Sequence, residues 1–325
     1  DARGVRARVL ADSSLTALWV AEEPVFDADV EVGAPILVRG GAGGAGGATT
    51  IVRGRSFSSG PTVASPDASD ASWSSLLAAL QDLPERVLRS DGVLGDLAAA
   101  TADFRDQYYG LAGAVVEEVA GDEGERIGPR LVTSGLIDPA RLRWGERTCR
   151  FNRTAFERPR VALERLSPAL RAWADRRLVP KVLVATQTRV LEAIVDEPGD
   201  LLPSVPVVTV TPLAGRSADL WRIGVLLTSP PATLLAARRH LGAGRNATAL
   251  RLSASDLLAL PLPADRAAWD RAARSFQAAS AADGPAADVD RRALLVDAGR
   301  AMCEAFGLGG DDELLDWWAA RLPRS

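Results

Sequence analysis

The stretch Leu250-Arg-Leu-Ser-Ala-Ser-Asp-Leu-Leu-Ala-Leu-Pro-Leu-Pro263 reads as a strand, a serine N-cap, a short helix and a proline stop. A serine hydroxyl at that place accepts from the free N–H groups of a helix's first turn, and proline cannot continue a helix because it has no N–H to give. The stretch closes a region, from Arg130 to Pro263, in which short apolar strands alternate with helices. Apolar runs predict strands over 147–151, 181–186, 190–195 and 205–211; the longer periodic segments predict helices over 168–177, 217–227 and 230–240.

Working outward toward the N-terminus, strands are expected over 15–20 and 30–38, joined by the turn Glu22-Glu-Pro-Val-Phe26. A Gly/Ala tract over 40–48 follows, and a strand pattern resumes over 49–57, which together suggest a β-hairpin at the edge of a larger sheet. The Ser/Pro/Asp-rich residues 56–72 have linker composition. Helical periodicity follows over 73–83 and over 102–119, the latter through Phe104, Tyr108, Leu111, Val115 and Val119. Beyond Ala264 the composition turns to Ala, Arg, Asp and Leu, predicting two or three terminal helices that end near Trp317 and Trp318. The fold class is therefore α+β, a mixed sheet with a hairpin at its N-terminus and a helical tail. The expected division is 1–57, a linker 58–72, a domain 73–263 and a helical region 264–325.

Composition narrows the chemistry. The 325 residues are 47% apolar and 25% charged, enough to bury a core, and no uncharged apolar stretch approaches the ~18 residues that span a bilayer. Cys149 and Cys303 are too few and too far apart for a disulfide framework or a metal cluster, which points to a reducing, cytoplasmic setting. His240 is the only histidine, so a His-dependent triad or a zinc site lacks its parts. The chain starts at Asp1 and holds one methionine, Met302, so it is expected to be a fragment or a processed product. Its net charge of -4 does not favour nucleic acid, yet Lys181 is the only lysine and the positive charge is almost all arginine. Arginine's planar fork suits phosphates and guanine edges, while a GC-rich coding bias produces the same replacement without any function.

Two motifs fail on their surroundings. Gly41-Ala-Gly-Gly-Ala-Gly46 has the glycine spacing of a nucleotide-binding turn, but the β-branched Thr49-Thr-Ile-Val52 after it favours a strand where a helix N-terminus is needed. Ser229-Pro-Pro-Ala232 has the frame of an amino-methyltransferase motif, but Ala232 offers no stacking surface for a flipped base, and Pro230-Pro231 reads better as a break between helices.

A series of modest motifs, in order, resembles adenine-specific DNA methyltransferases of the Taq type. Arg8-Val-Leu10 through Trp19-Val20, Val25-Phe-Asp-Ala-Asp-Val30 and Ile36-Leu-Val-Arg39 are similar to the last strands of that family's catalytic domain. Leu94-Gly-Asp-Leu-Ala98 is similar to the opening of its target-recognition region, and Leu131-Val-Thr-Ser-Gly-Leu-Ile-Asp138 with Trp144-Gly145 to a segment within it. Pro180-Lys-Val-Leu-Val-Ala-Thr-Gln-Thr188, Val207-Val-Thr-Val-Thr-Pro212, 220–228 and 242–255 complete the order, while the segment from Ala102 to Gly110 departs from the family's glycine loop. The resemblance implies that the chain is the target-recognition part of an adenine-specific DNA methyltransferase in restriction–modification or phage defence. It also implies that S-adenosylmethionine binding and the Asn-Pro-Pro-Tyr motif lie upstream of Asp1, in a catalytic portion that would be the chain's partner together with double-stranded DNA.

The residues that could read DNA follow from chemistry and position. Along a strand through 181–188, Lys181, Leu183, Ala185 and Gln187 share one face and Val182, Val184 and Thr186 the other. Lys181 on that strand is a candidate DNA contact. Gln187 can bond adenine at N6 and N7, and Arg189 guanine at O6 and N7. Arg245 and Asn246, between glycines at 242 and 244, could meet phosphate or base, or could belong to a plain connecting loop. Arg147, Arg150, Arg153, Arg158 and Arg160 surround Phe151 and Phe156, with Arg153 and Arg160 the chosen phosphate contacts; if scattered over several faces, they are solvated surface. The competing function is a protein-interaction scaffold, motivated by the acidic balance and by Trp269, Trp317 and Trp318 as exposed interface residues. A hydrolase built on Asp196 and Glu197 lacks a partner group at a meaningful spacing.

Overall fold

The computed structural model describes residues 3–23, 25–26, 32–39, 47–66, 73, 76, 83–103, 105–118, 128–240, 249–282 and 287–323. The chain forms two compact units, one of Asp1–Glu85 with Leu234–Arg251 and the other of Arg86–Thr233 with Leu252–Ser325. The fold class is mixed α+β, as the alternating patterns predict.

In the smaller unit the strands run in the order Gly33–Arg39, Ser13–Val20, Ala48–Arg53, Ser58–Ala64. The hairpin partner lies antiparallel to Ser13–Val20 and the third strand parallel to it. Leu15 and Leu18 are both buried although an odd spacing puts strand residues on opposite faces; a register shift between Leu15 and Ala17 re-aims the second. With Leu10 from the helix Arg3–Asp12, they pack on Ile51 and Leu76. The expected linker 58–72 instead opens with a paired strand, Ser58–Ala64. It is an exposed edge, and Pro61 is tolerated there because it falls at a bulge, where the register slips between Thr50 and Val52.

The larger unit is built on two four-stranded sheets. The first runs Ala193–Asp196, Lys181–Val184, Val208–Pro212, Ala98–Ala102, with every neighbour antiparallel. The second runs Leu201–Pro203, Arg130–Val132, Pro159–Val161, Val115–Glu117. Val132, Leu183, Ile194, Leu201 and Val207 form one core cluster that takes residues from both. Leu131, Phe151, Val161 and Leu202 pack with Trp173 of the helix Pro168–Arg177 in another. The helix Leu220–Leu226 approaches the first sheet through Gly224, where an added Cβ would stand 2.5 Å from Val195 Cγ2.

Several expectations shift for local reasons. The helix expected over 102–119 is confined to Arg105–Leu111, because Gly110 and Gly113 weaken it and the β-branched Val115 and Val116 enter a strand. Ser253 is the N-cap of Ala254–Leu258 in a capping box with Asp256, but the proline stop is itself a strand, Pro261–Pro263, paired with Ser90–Val93. Three terminal helices form, Arg266–Ala281, Ala287–Ala305 and Asp312–Ala319. They belong to the same unit as residues 86–233 rather than standing as a separate region.

One buried ion pair lies within the first sheet, at its junction with the second. Lys181 opens its strand and Asp196 closes the neighbouring one, facing it across the ladder, and both side chains are out of solvent. Asp196 also accepts backbone N–H bonds from Gly199 at 3.0 Å, Asp200 at 3.2 Å and Leu201 at 3.0 Å, which shapes the turn into the second sheet. Gly199 adopts a φ of +75° there, and a Cβ would lie 2.6 Å from the Val179 carbonyl carbon. Burial pushes the Lys181 ammonium below its usual range and Asp196 opposes that shift. Asp196→Ala, which strands the ammonium without its partner, is expected to lower unfolding stability by about 3–5 kcal/mol. Lys181→Met leaves Asp196 its three backbone donors and should cost less; equal losses in urea unfolding of the two variants would refute this ordering.

Candidate nucleic-acid interface

The strand from Lys181 ends at Val184, and the chain turns through 185–192 before pairing back on itself, Ala185 N–H bonding the Glu192 carbonyl at 2.9 Å. The turn is pinned from outside as well, by Leu191 N–H to the Thr233 hydroxyl at 3.3 Å. Gln187 sits in the left-handed region at φ +65°, uncommon for a residue with a side chain and a sign that the turn is constrained. Gln187 and Arg189 are exposed on it.

These two side chains line a cleft of about 490 Å³ together with Asp138, Arg147, Glu192 and Arg321. Asp138, 6% exposed, accepts from Arg143 Nε at 2.6 Å and from both terminal nitrogens of Arg147, at 3.1 and 3.0 Å. Arg147 also donates to the Gly135 carbonyl at 2.8 Å, so its guanidinium is fixed from one side and 42% of its side chain stays exposed. Arg321 lies over the Trp317 ring, 4.4 Å from its centroid, and donates to the Trp317 carbonyl at 2.9 Å. Burial, and then the Arg189 charge, push Arg321 below its ordinary value. Three guanidinium groups, of Arg147, Arg189 and Arg321, thus share the cleft, and no carboxylate is bound to Arg189 among the described residues.

Glu192 differs from the other acids. It is 8% exposed, and no donor among the described residues bonds its carboxyl. Burial, followed by the nearby Asp138 charge, raises it to about 8, with Arg147 opposing. At neutral pH it is mostly a neutral acid, able both to donate and to accept.

The candidates named from sequence are distributed unevenly. Gln187 and Arg189 meet in the cleft. Lys181 does not reach a surface: its strand is buried on both faces and its ammonium is engaged by Asp196 and by the Val179 carbonyl at 3.2 Å, so it is withdrawn as a DNA contact. The alternation of 181–188 stops at Val184 for the same reason. Arg160 is also committed internally, paired with Glu118, donating to the Gly128 carbonyl at 2.7 Å and lying 5.2 Å from the Trp144 ring centroid. Arg158 packs on the same ring at 5.3 Å.

Arg153 is presented outward. Cys149–Phe151 and Thr154–Phe156 form a hairpin whose two turn residues, Asn152 and Arg153, have φ of +46° and +67°, the primed-turn geometry that follows strand twist. Arg150 alternates outward between buried Cys149 and Phe151. Neither Arg153 nor Arg160 lines the cleft. Arg245 and Asn246 lie outside the described residues. The cleft residues missed by sequence are Asp138, Arg321 and Glu192; a charge inside the apolar run from Val190 to Val195 was the available signal for the last.

Among the described residues, the surroundings of the two sequence motifs are those of packed structure. Ser229 is 2% exposed, its hydroxyl donating to the Leu226 carbonyl at 2.9 Å and accepting from Ala232 N–H at 3.3 Å, so it caps the helix Pro230–His240. The residues after the glycine tract form the strand Ala48–Arg53, with no helix N-terminus to receive an anion.

No family model matches the chain. No curated protein matches it either. Among solved structures, the chain is similar to the Type IIL restriction-modification enzyme MmeI in complex with DNA, at 10% identity and a TM-score of 0.49. That likeness covers 95% of this chain and 45% of the other, so the chain spans less than half the length of that enzyme.

The raised Glu192 carboxyl makes a testable contribution to stability. Between its usual value near 4.5 and about 8 the folded chain holds a proton that the unfolded chain has released. Stability from this group is therefore greatest below the lower value, falls as pH rises through the window, and is flat above it. Glu192→Gln should match the wild type near pH 4 and exceed it by on the order of 1–3 kcal/mol at pH 7. Unfolding curves whose wild-type-to-variant difference stays constant with pH would show that the carboxyl is ionised in the fold.

Proposed function

We propose that the unit carrying the cleft recognises a DNA target sequence on behalf of an adenine-specific DNA methyltransferase of a restriction–modification or phage-defence system. The observation that carries the reading is the constrained turn 185–192. It holds an amide, Gln187, and a guanidinium without an ion-pair partner among the described residues, Arg189, exposed on one cleft, and their donor and acceptor geometry fits purine edges in the major groove. The ordered resemblance to the Taq-type family supports it, since the stretch from Pro180 to Thr188 is one of the matched segments.

In this reading Arg153, at the tip of its hairpin, holds a phosphate and sets register without reading sequence. Adenine methylation at N6 and S-adenosylmethionine binding belong to the catalytic portion that in this family precedes the matched strands. Residues of this chain choose the site. A net charge of -4 does not itself favour binding, and the local distribution carries the reading: Asp138 and Asp219 each hold more than one arginine, while Arg153 and Arg189 have no ion-pair partner among the described residues.

The scaffold alternative keeps half-buried Trp317 and the acidic balance but loses two of its three tryptophans. Trp269 and Trp318 are 2% and 1% exposed, and Trp269 Nε1 donates to the Arg222 carbonyl at 3.0 Å, so both serve the core rather than an interface.

Fluorescence anisotropy with the full chain and duplex DNA tests the proposal. Binding is expected at ~50 mM salt, with log affinity falling linearly in log salt. Arg189→Ala should reduce affinity for the preferred sequence by about 1–3 kcal/mol and leave non-specific duplex nearly unaffected. Arg153→Ala should weaken both alike and reduce the salt slope by about 1. Absence of duplex binding at low salt sinks the reading.

A further inference from the structure

Glu192 poses a problem that the proposed function does not solve. Glu192 is 8% exposed as a residue, yet no donor among the described residues bonds its carboxyl, whereas a buried polar group normally has a partner because an unsatisfied one costs on the order of 1–3 kcal/mol. Two other buried acids of this unit keep the rule. Asp196 has Lys181 and three backbone N–H groups, and Asp219 has Arg222 at 2.6 Å and Arg266 at 2.9 Å. Of these three acids only Glu192 has no donor among the described residues, and it lines the cleft with Gln187 and Arg189. The nearest candidate, Arg147, spends its hydrogen bonds on Asp138 and Gly135.

We propose that Glu192 is a specificity-determining residue whose carboxyl bonds the edge of an adenine that enters the cleft beside Gln187 and Arg189. The assignment rests on the DNA-reading role proposed for the same cleft. A neutral carboxylic acid presents one acceptor and one donor side by side, as a carboxamide does. Adenine's major-groove edge is the complement, with the N6 amino group donating and N7 accepting. Guanine offers only acceptors at that edge and would satisfy half of the acid. Cytosine offers only the N4 donor, which suits a carboxylate. The group is raised to about 8, so it is in the adenine-matching form at neutral pH. The charged groups that line the cleft with it are Asp138, Arg147, Arg189 and Arg321. Asp138 favours the protonated form and Arg147 opposes it.

The test is selection from a randomised duplex pool by the full chain, at pH 6.5 and pH 9, for the wild type, Glu192→Gln and Glu192→Ala. The wild type should select adenine at one position at pH 6.5 and lose that preference toward cytosine at pH 9. Glu192→Gln, which keeps one donor and one acceptor at every pH, should retain adenine at both. Glu192→Ala should lose the preference there by roughly 5- to 150-fold while keeping the preferences set by Gln187 and Arg189. Should the alanine variant fail to fold, the comparison of wild type with glutamine at pH 9 still decides. Selected sequences that are the same for all three proteins at both pH values overturn the role of Glu192 alone. No enriched sequence for the wild type overturns DNA reading by this cleft, and the inference with it.

Discussion

Asp196 gathers the Lys181 ammonium and the N–H groups of Gly199, Asp200 and Leu201 around one carboxylate with almost no contact with water. The ammonium comes from the start of one central strand, the carboxylate from the end of its neighbour, and the three amides from the turn that crosses into the second sheet. A lone lysine in an apolar sheet would be driven neutral, and a lone aspartate would be driven protonated. Together they are stable only when the two strands are in register and the turn is closed. The pair therefore acts as a test of correct assembly: a slip of one residue would separate the charges and leave both buried.

From this fixed end the same two strands run to the cleft. The strands from Lys181 and to Asp196 are paired in the order Lys181 with Asp196 through Val184 with Ala193. The turn 185–192 is thus the far end of a ladder whose near end is locked by the ion pair. Ala185 N–H on the Glu192 carbonyl, and Leu191 N–H on Thr233, then leave the tip little room to move. Precision at Gln187 and Arg189 is inherited from the core. On a free loop, binding through such side chains would lose affinity to ordering entropy, whereas the backbone of this turn is held before any ligand arrives.

Much of the architecture was legible in the sequence. The helices Pro168–Arg177 and Pro230–His240 follow from their apolar spacing and leading prolines, and the capping serine at 253 from its place before an apolar pair. Lys181 was misread because strand alternation suggests that a charged residue marks the wet face; in a strand covered on both sides, charge marks a buried partner instead, and that partner lay 15 residues away. Arg160 was misread for the same kind of reason, since arginine density says nothing of which guanidinium lies on Trp144 and which reaches solvent. The two-residue turn at Asn152 and Arg153 could have been anticipated from the left-handed tolerance of asparagine, and it separates Arg153 from its neighbours. Glu192 was hidden by the opposite error: an apolar run absorbed it into a strand, and only the lack of a donor among the described residues shows its difference from Asp196.

The contrast between these two acids is the physical core of the functional argument. Both lie at the ends of the same strand pairing, and both are removed from water. One is fully satisfied and holds the fold. The other has no donor among the described residues and lines the cleft, where a glutamine in its place is expected to stabilise the fold at neutral pH. A folded chain keeps a group that costs it stability where something outside the chain completes the hydrogen bonds, and strained or unsatisfied groups gather at binding sites for that reason. The surrounding charges define what can complete them. Arg147 is neutralised by Asp138, and Arg189 and Arg321 leave the cleft positive. A polyanion would be drawn to such a cleft by its phosphates, and a group with both a donor and an acceptor could then settle on Glu192. A base on a phosphate backbone supplies both, whereas a free anion supplies only the first.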